Sequence, residues 1–240
     1  MEALPLYESI EMRAVTGPAI RPGGLTLTER ALDLCSIPDG AKVLDVGCGV
    51  GATVEFLCRE RHCAAFGVDT SSLLLKEGME RSPTLPLLQG TAESLSFHEG
   101  SFSALFCECV LSLLPDPASA LKEFARVIHP EGWVILSDVY ARTPGEASSL
   151  PHLPVRCCIK GAVGMGQIIA WVVESGLTVV TWEDHSTLLK QLAAQLIFSF
   201  GSLNAFWAST CSEGDPGAIG AAVRRARPGY YLLIARRKEG

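Results

Sequence analysis

Lys42-Val43-Leu44-Asp45-Val46 runs directly into Gly47-Cys48-Gly49-Val50-Gly51, and residues 52–58 follow with apolar side chains at helical spacing. A five-residue apolar run suits a strand and is too short for a helix, while three glycines at alternate positions allow a tight turn that a ligand can approach closely. Strand, glycine turn and helix in that order open a parallel α/β sheet. Few other folds accommodate them.

The alternation continues downstream. Strands are expected at 64–68, 85–89 and 104–107, and a helix at 72–80. Leu121, Phe124, Ala125 and Ile128 mark another helix, closed by the turn His129-Pro130-Glu131-Gly132 before a fifth strand at 133–137. Beyond it come a helix at 168–174, a strand at 177–182, one long helix at 187–206 and a closing strand at 230–235. Ahead of the first strand, residues 1–24 read as an arm rich in turn formers, followed by a helix at 26–34. Here Arg21, Gly23 and Gly24 either touch a ligand or simply form a Pro-Gly approach to a helix capped by a hydroxyl. At 240 residues, 48% of them hydrophobic, one domain spanning 1–240 is expected. Residues 143–166 and 183–210 are its expected lid insertions.

The formal net charge of −6 argues against general attraction to nucleic acid. The basic groups Arg224, Arg225, Arg227 and Arg236, Arg237, Lys238 read as solvated charge beside the last strand. No apolar run approaches the ~20 residues of a membrane span, and no basic start with an apolar stretch marks a secretion signal. Nine cysteines, an odd number, several of them inside apolar runs, fit buried thiols and a cytoplasmic location. Zinc-type spacing is absent, so no metal is expected.

The glycine turn, with Ala52 after it and Asp69 downstream, also satisfies the looser dinucleotide pattern of a dehydrogenase. Charge separates the two readings. A dinucleotide lays an anionic pyrophosphate over the turn, whereas S-adenosylmethionine carries a sulfonium and an amino group, for which the neighbouring acid Asp45 is useful. Asp45 could instead only cap the turn.

Residues 43–51 resemble the first motif of class I S-adenosylmethionine-dependent methyltransferases. Gly67-Val68-Asp69 resembles the following motif, whose acid binds the ribose, with Thr70 beside it, and Gln89-Gly90-Thr91-Ala92-Glu93 resembles the adenine segment. Thr91 stands where relatives carry Asp, so the adenine amino contact is either weaker or carried by Glu93. Residues 102–116 resemble the fourth-strand motif, although Ser103 replaces a common Asp, and 127–133 resemble the turn before strand five. This resemblance, closest to small-molecule enzymes of the quinone and arsenite groups, implies a doubly wound, Rossmann-like, mostly parallel seven-stranded sheet with an antiparallel last strand. It implies S-adenosylmethionine as cofactor, held by Asp45, Gly47, Cys48, Gly49, Gly51, Asp69, Thr70, Thr91, Ala92, Glu93 and Cys107, and a small-molecule acceptor.

For the acceptor side, Asp138, Tyr140 and His185 follow strand ends on the ligand edge. His185 is either a general base or part of the helix start Asp184-His185-Ser186. His129 belongs to the opposite edge. The run from Arg156 to Ala162 resembles the cysteine-bearing stretch of arsenite methyltransferases, with Cys158 at the matching position and Cys157 and Cys211 as further thiols. The alternatives are therefore a metalloid or thiol methyltransferase using Cys158, or a module that binds the cofactor without catalysis.

Overall fold

A computed structural model describes residues 5–210 and 215–237 of the chain. Seven strands form one sheet: β1 (Lys42–Val46), β2 (Ala64–Asp69), β3 (Leu87–Gln89), β4 (Phe102–Glu108), β5 (Ile128–Ala141), β6 (Leu177–Asp184) and β7 (Pro228–Arg237). Their order across the sheet is β3-β2-β1-β4-β5-β7-β6. The first five pair in parallel, and β7 runs antiparallel between β5 and β6. The expected doubly wound sheet is therefore present. Its connections reverse between β1 and β4, which opens a crevice at the carboxyl ends of those two strands.

Strand side chains alternate between two cores. Val43, Phe106, Ile135 and Leu232 belong to one core, and Leu44, Leu105, Leu136 and Leu233 to the other, all fully buried. The first face is covered by α1 (Ile10–Thr16), α2 (Thr26–Cys35), α3 (Ala52–Arg59), α4 (Ser72–Arg81), α7 (Ser186–Phe200), α8 (Leu203–Thr210) and α9 (Pro216–Ala226). The second is covered by α5 (Pro117–Val127) and α6 (Met165–Glu174). With both faces covered, the central strands read as nearly continuous apolar runs.

Four local expectations are corrected. The arm contains α1, which begins where the Ser9 hydroxyl accepts from Met12 N at 3.2 Å. The expected long helix at 187–206 is two helices, broken at Gly201, whose φ of +80° a side chain would resist. The hydroxyl of Thr26 does not cap α2; it donates to the Gly23 carbonyl at 2.8 Å. Finally α9 was not anticipated, although Asp215-Pro216 is a cap followed by proline at the first helical position, and the Asp215 side chain accepts from Gly217 N at 2.9 Å.

The expected turn at 129–132 lies inside β5 as a bulge. Phe102 pairs with Ile128 and Ala104 with Trp133, and Glu131 adopts φ +67°. The segment 143–166 holds two short 3₁₀ stretches, Pro144–His152 and Cys158–Gly161. It is tied to the arm where Leu6 N donates to the Arg156 carbonyl at 2.9 Å. The eight described cysteines are all free thiols, and no described helix is long and apolar enough to cross a membrane. Cys211 and Lys238 lie outside the described residues.

Candidate functional site

The turn after β1 is fixed by its backbone. Gly47, Gly49 and Gly51 all have positive φ, +78°, +55° and +78°. A Cβ on Gly47 would come within 2.1 Å of Val110, so both conformation and space demand glycine there. Gly47 N and Cys48 N donate to the Val68 carbonyl at 2.7 and 3.1 Å, which ties the turn to β2. A cavity of about 320 Å³ opens above it. Its walls are the turn, the end of β2, residues 90–93, residues 108–115, and the arm with Tyr7 and residues 18–21.

Two acids on this wall face different situations. Asp69, at the end of β2, accepts from Gly49 N at 2.7 Å and from Ser71 N at 2.8 Å. Burial raises its pKa, and those amides oppose the rise. Glu93 has Oε1 buried with no hydrogen-bond partner in the protein. A buried acceptor without a donor costs on the order of 1–3 kcal/mol, so that atom awaits one.

Below the cavity sits a buried ionic cluster. Arg21 pairs with Glu108 at 2.8 Å, their side chains 9% and 1% exposed. Arg21 also donates to the Gly24 carbonyl (2.8 Å) and to the hydroxyls of Thr28 (2.8 Å) and Thr53 (2.9 Å). Thr28 in turn donates to Glu108 at 3.0 Å. Asp45 is buried next to this cluster, and burial, then the charge of Glu108, pushes its pKa up to about 8, with Arg21 opposing.

The sequence-selected residues divide accordingly. Gly47, Cys48, Gly49, Asp69, Thr70, Thr91, Ala92 and Glu93 line the cavity together. Asp45, Gly51 and Cys107 do not reach its surface. Gly51 abuts Leu87 and Leu85, Asp45 sits buried beside the ion pair, and Cys107 is wholly buried in the second core. In place of Cys107, the next residues along β4 and its loop, Glu108, Cys109 and Val110, supply the wall. Sequence reasoning also missed Tyr7, Thr53 and Arg156 there; none sits in a glycine or acid motif, so no local signal marks them.

Asp138, Tyr140 and His185 lie outside this cavity. Asp138 is buried and accepts from the Ser112 amide and hydroxyl, both at 2.8 Å, and from Val139 N at 2.7 Å; burial pushes its pKa up to about 6. It holds the loop after β4 in place. The Tyr140 hydroxyl donates to Asp184 at 2.7 Å, and its ring packs edge-on against Trp182 and Tyr231. His185 is the residue preceding α7 and contacts Glu183 at 2.8 Å, while the Asp184 carboxylate accepts from Ser186 N at 2.8 Å. The helix-start arrangement is thus built mainly by Asp184, because the His185 ring turns to Glu183 instead of the helix amides.

A second chamber, about 220 Å³, adjoins the first and shares Tyr7, Ile20, Arg21, Cys109 and Leu113 with it. Cys157 and Cys158 border it beside Cys109. Burial raises the thiols of Cys109 and Cys158, the opposite of what thiolate ligation needs. Among the described residues no group of three or more His, Cys, Asp or Glu is placed to hold a metal ion.

A crevice at the switch point of a doubly wound sheet, a left-handed glycine turn and an acid at the end of β2 make a Rossmann-like nucleotide site, and the antiparallel β7 completes the sheet that the methyltransferase resemblance implies. Comparison with known proteins agrees. Residues 44–136 match the family model described as "Methyltransferase domain". The chain is similar to the methyltransferase GfsG of Streptomyces halstedii, 29% identical over 88% of this chain and 80% of that one. A 2-methyl-6-phytyl-1,4-hydroquinone methyltransferase of Synechocystis is 32% identical over 44% of this chain and 34% of its own. The chain spans only 26% to 34% of the length of several curated relatives that it matches. Among solved structures, the [4+2]-cyclase SpnF superposes with TM-score 0.68 at 22% identity, covering 92% of this chain and 84% of that one. Residues 44–136 thus match a methyltransferase domain, as the sequence resemblance implies.

Proposed function

We propose that the protein transfers the methyl group of S-adenosylmethionine to a small-molecule acceptor. The single observation that carries this is the buried, partnerless Oε1 of Glu93 on the wall of the cavity that also holds the glycine turn and Asp69. Those are the donors and acceptors an adenine amino group, a ribose diol and a methionine tail require.

The residues present fit the cofactor. Asp69 and Thr70 would bind the ribose, Thr91, Ala92 and Glu93 the adenine, and the Gly47 and Gly49 backbone the methionine portion. When bound, the cofactor supplies an electrophilic methyl group. The protein's part is to bind, orient and keep water out. The Arg21–Glu108 pair anchors the arm against β4, and Tyr7 closes the cavity from above. Alignment of the reacting atoms can account for much of such a displacement, so no proton-transferring residue is essential to it.

Because one protein of similar fold is named a cyclase, the fold does not by itself fix the chemistry. Two measurements test the proposal together. Calorimetric titration should show S-adenosylhomocysteine binding to the wild type, and labelled methyl should pass from S-adenosylmethionine to an acceptor panel. Absence of binding ends the proposal; binding without any turnover favours a cofactor-binding module instead.

A further inference from the structure

The second chamber differs from the cofactor cavity in what lines it. Met12, Leu189, Leu192, Leu196, Phe206 and Trp207 line it from α1, α7 and α8. Phe206 and Trp207 set their rings together, centroids 5.0 Å apart, beside Phe200 at 5.4 Å from Phe206. At about 220 Å³ it exceeds the ~150 Å³ apolar cavity that suffices for benzene. Among the described residues its walls carry no carboxylate, imidazole or lysine; their cations are Arg21 at the inner end, neutralised by Glu108, and the exposed Arg224.

A cationic acceptor would find no carboxylate on such walls and leave its charge unpaired, at a cost of several kcal/mol. Where chamber and cofactor cavity meet, the ionisable side chains common to both are Tyr7, Arg21 and Cys109, and the Glu108 carboxylate beside them is held by Arg21, Thr28 and Thr53. A guanidinium cannot take a proton at neutral pH. Burial raises both Tyr7 and Cys109, so neither is an anion there. An aliphatic alcohol, which needs a base to become a nucleophile, therefore has no partner. An aromatic hydroxyl or thiol ionises unaided.

Resting on the methyl-transfer reading above, we infer that the chamber is the acceptor site and takes an apolar aromatic ring bearing an acidic hydroxyl or thiol. The ring lies among Phe206, Trp207 and the leucines, and its O–H or S–H is presented between Tyr7 and Cys109. The proton leaves to solvent; the oxygen or sulfur lone pair then forms the new bond to the methyl carbon as the carbon–sulfonium bond breaks. That electron pair returns to sulfur, leaving S-adenosylhomocysteine and the methyl ether or thioether.

The test uses the full chain. The uncharged dye N-phenyl-1-naphthylamine should fluoresce on binding, and Ala193→Trp, from a half-buried position on the chamber wall, should reduce that binding at least tenfold. S-adenosylhomocysteine affinity should stay within about twofold in the same variant; Val223→Phe provides a second blockade if the first fails to fold. With saturating cofactor, 4-nitrophenol and 2-naphthalenethiol should be methylated, with kcat/KM following each acceptor's own ionisation. A single inflection common to both acceptors would reveal a protein base and overturn the inference, as would preferential methylation of ethanolamine or glycine. S-adenosylhomocysteine binding without dye binding defeats this inference alone, whereas absence of both defeats the methyltransferase reading with it.

Discussion

The glycine turn and the chamber under α7 and α8 touch across Tyr7, Arg21 and Cys109, yet they are built by opposite means. The turn is specified by backbone: three left-handed glycines, amides bound to Val68, and an acid at the end of a strand. The chamber is specified by packing, with side chains drawn from residues 6 to 228 of the chain. Backbone specification suits a ligand that never changes. Packing can be re-lined without disturbing the sheet, which suits an acceptor that differs between relatives.

The Arg21–Glu108 pair joins the two regions, so it gives the largest way to break the contrast. Removing one partner of a buried ion pair strands the other charge, at a cost of about 3–5 kcal/mol. Glu108→Ala should lower stability by that amount in urea unfolding. It should also weaken both S-adenosylhomocysteine and dye binding, because the arm then loses its anchor to β4. A stable variant that lost only cofactor binding would show that the arm serves one region alone.

Next in size is Asp69→Ala. The carboxylate organises the turn through Gly49 N as well as facing the cavity. Hydrogen bonds to a charged group are worth about 1.5–3 kcal/mol, so S-adenosylhomocysteine should bind roughly ten- to a hundredfold more weakly by calorimetry. Dye binding in the chamber should be unaffected. Equal loss at both sites would erase the distinction between them.

That contrast also explains how much was legible in the sequence. Residues 42–51, 67–70 and 89–93 show their roles locally, because glycine and acid spacing encode backbone shape directly. The seven strands were legible for a similar reason, since short apolar runs alternate with helical spacing. The chamber was not, because a leucine facing a cavity and a leucine facing a core look alike in sequence. Phe206 ends the one long helix expected at 187–206, whose break depends on Gly201, and α9 reads as a basic cluster around Arg224. Asp138, Tyr140 and His185 stood out because they are polar at strand ends. Folding sets Asp138 against the Ser112 amide, and turns Tyr140 and His185 to the carboxylates of Asp184 and Glu183 ahead of α7.

A smaller effect separates the sulfonium from its product. Asp45 has a folded pKa of about 8, above its unfolded value, so between the two the unfolded chain binds fewer protons. Its burial therefore weakens stability as pH rises through that window, and Asp45→Asn should flatten this dependence. A cation in the cleft favours the carboxylate form, so S-adenosylmethionine should tighten relative to neutral S-adenosylhomocysteine from pH 6 to pH 9. The shift in the ratio should be at most about tenfold, equivalent to ~1.4 kcal/mol. Competition binding at both pH values checks it; a ratio that does not move would remove Asp45 from the electrostatics of the cleft.

The smallest expected effect concerns His185. Its ring sits against Glu183, which also binds Arg30 at 2.8 Å, and it borders neither the cofactor cavity nor the chamber. His185→Gln keeps a hydrogen-bonding side chain beside Glu183, and α7 retains its start through Asp184 and the Ser186 amide. Methyl transfer to an acidic aromatic acceptor should therefore change by less than about twofold in kcat/KM, with its pH profile unaltered, the range expected of a surface substitution away from the site. A loss of a hundredfold or more, about 2.7 kcal/mol in transition-state stabilisation, would require the imidazole to reach the acceptor. Only a rearrangement of α7 could bring it there, and the chamber would then be shaped by the ligand instead of standing ready for it.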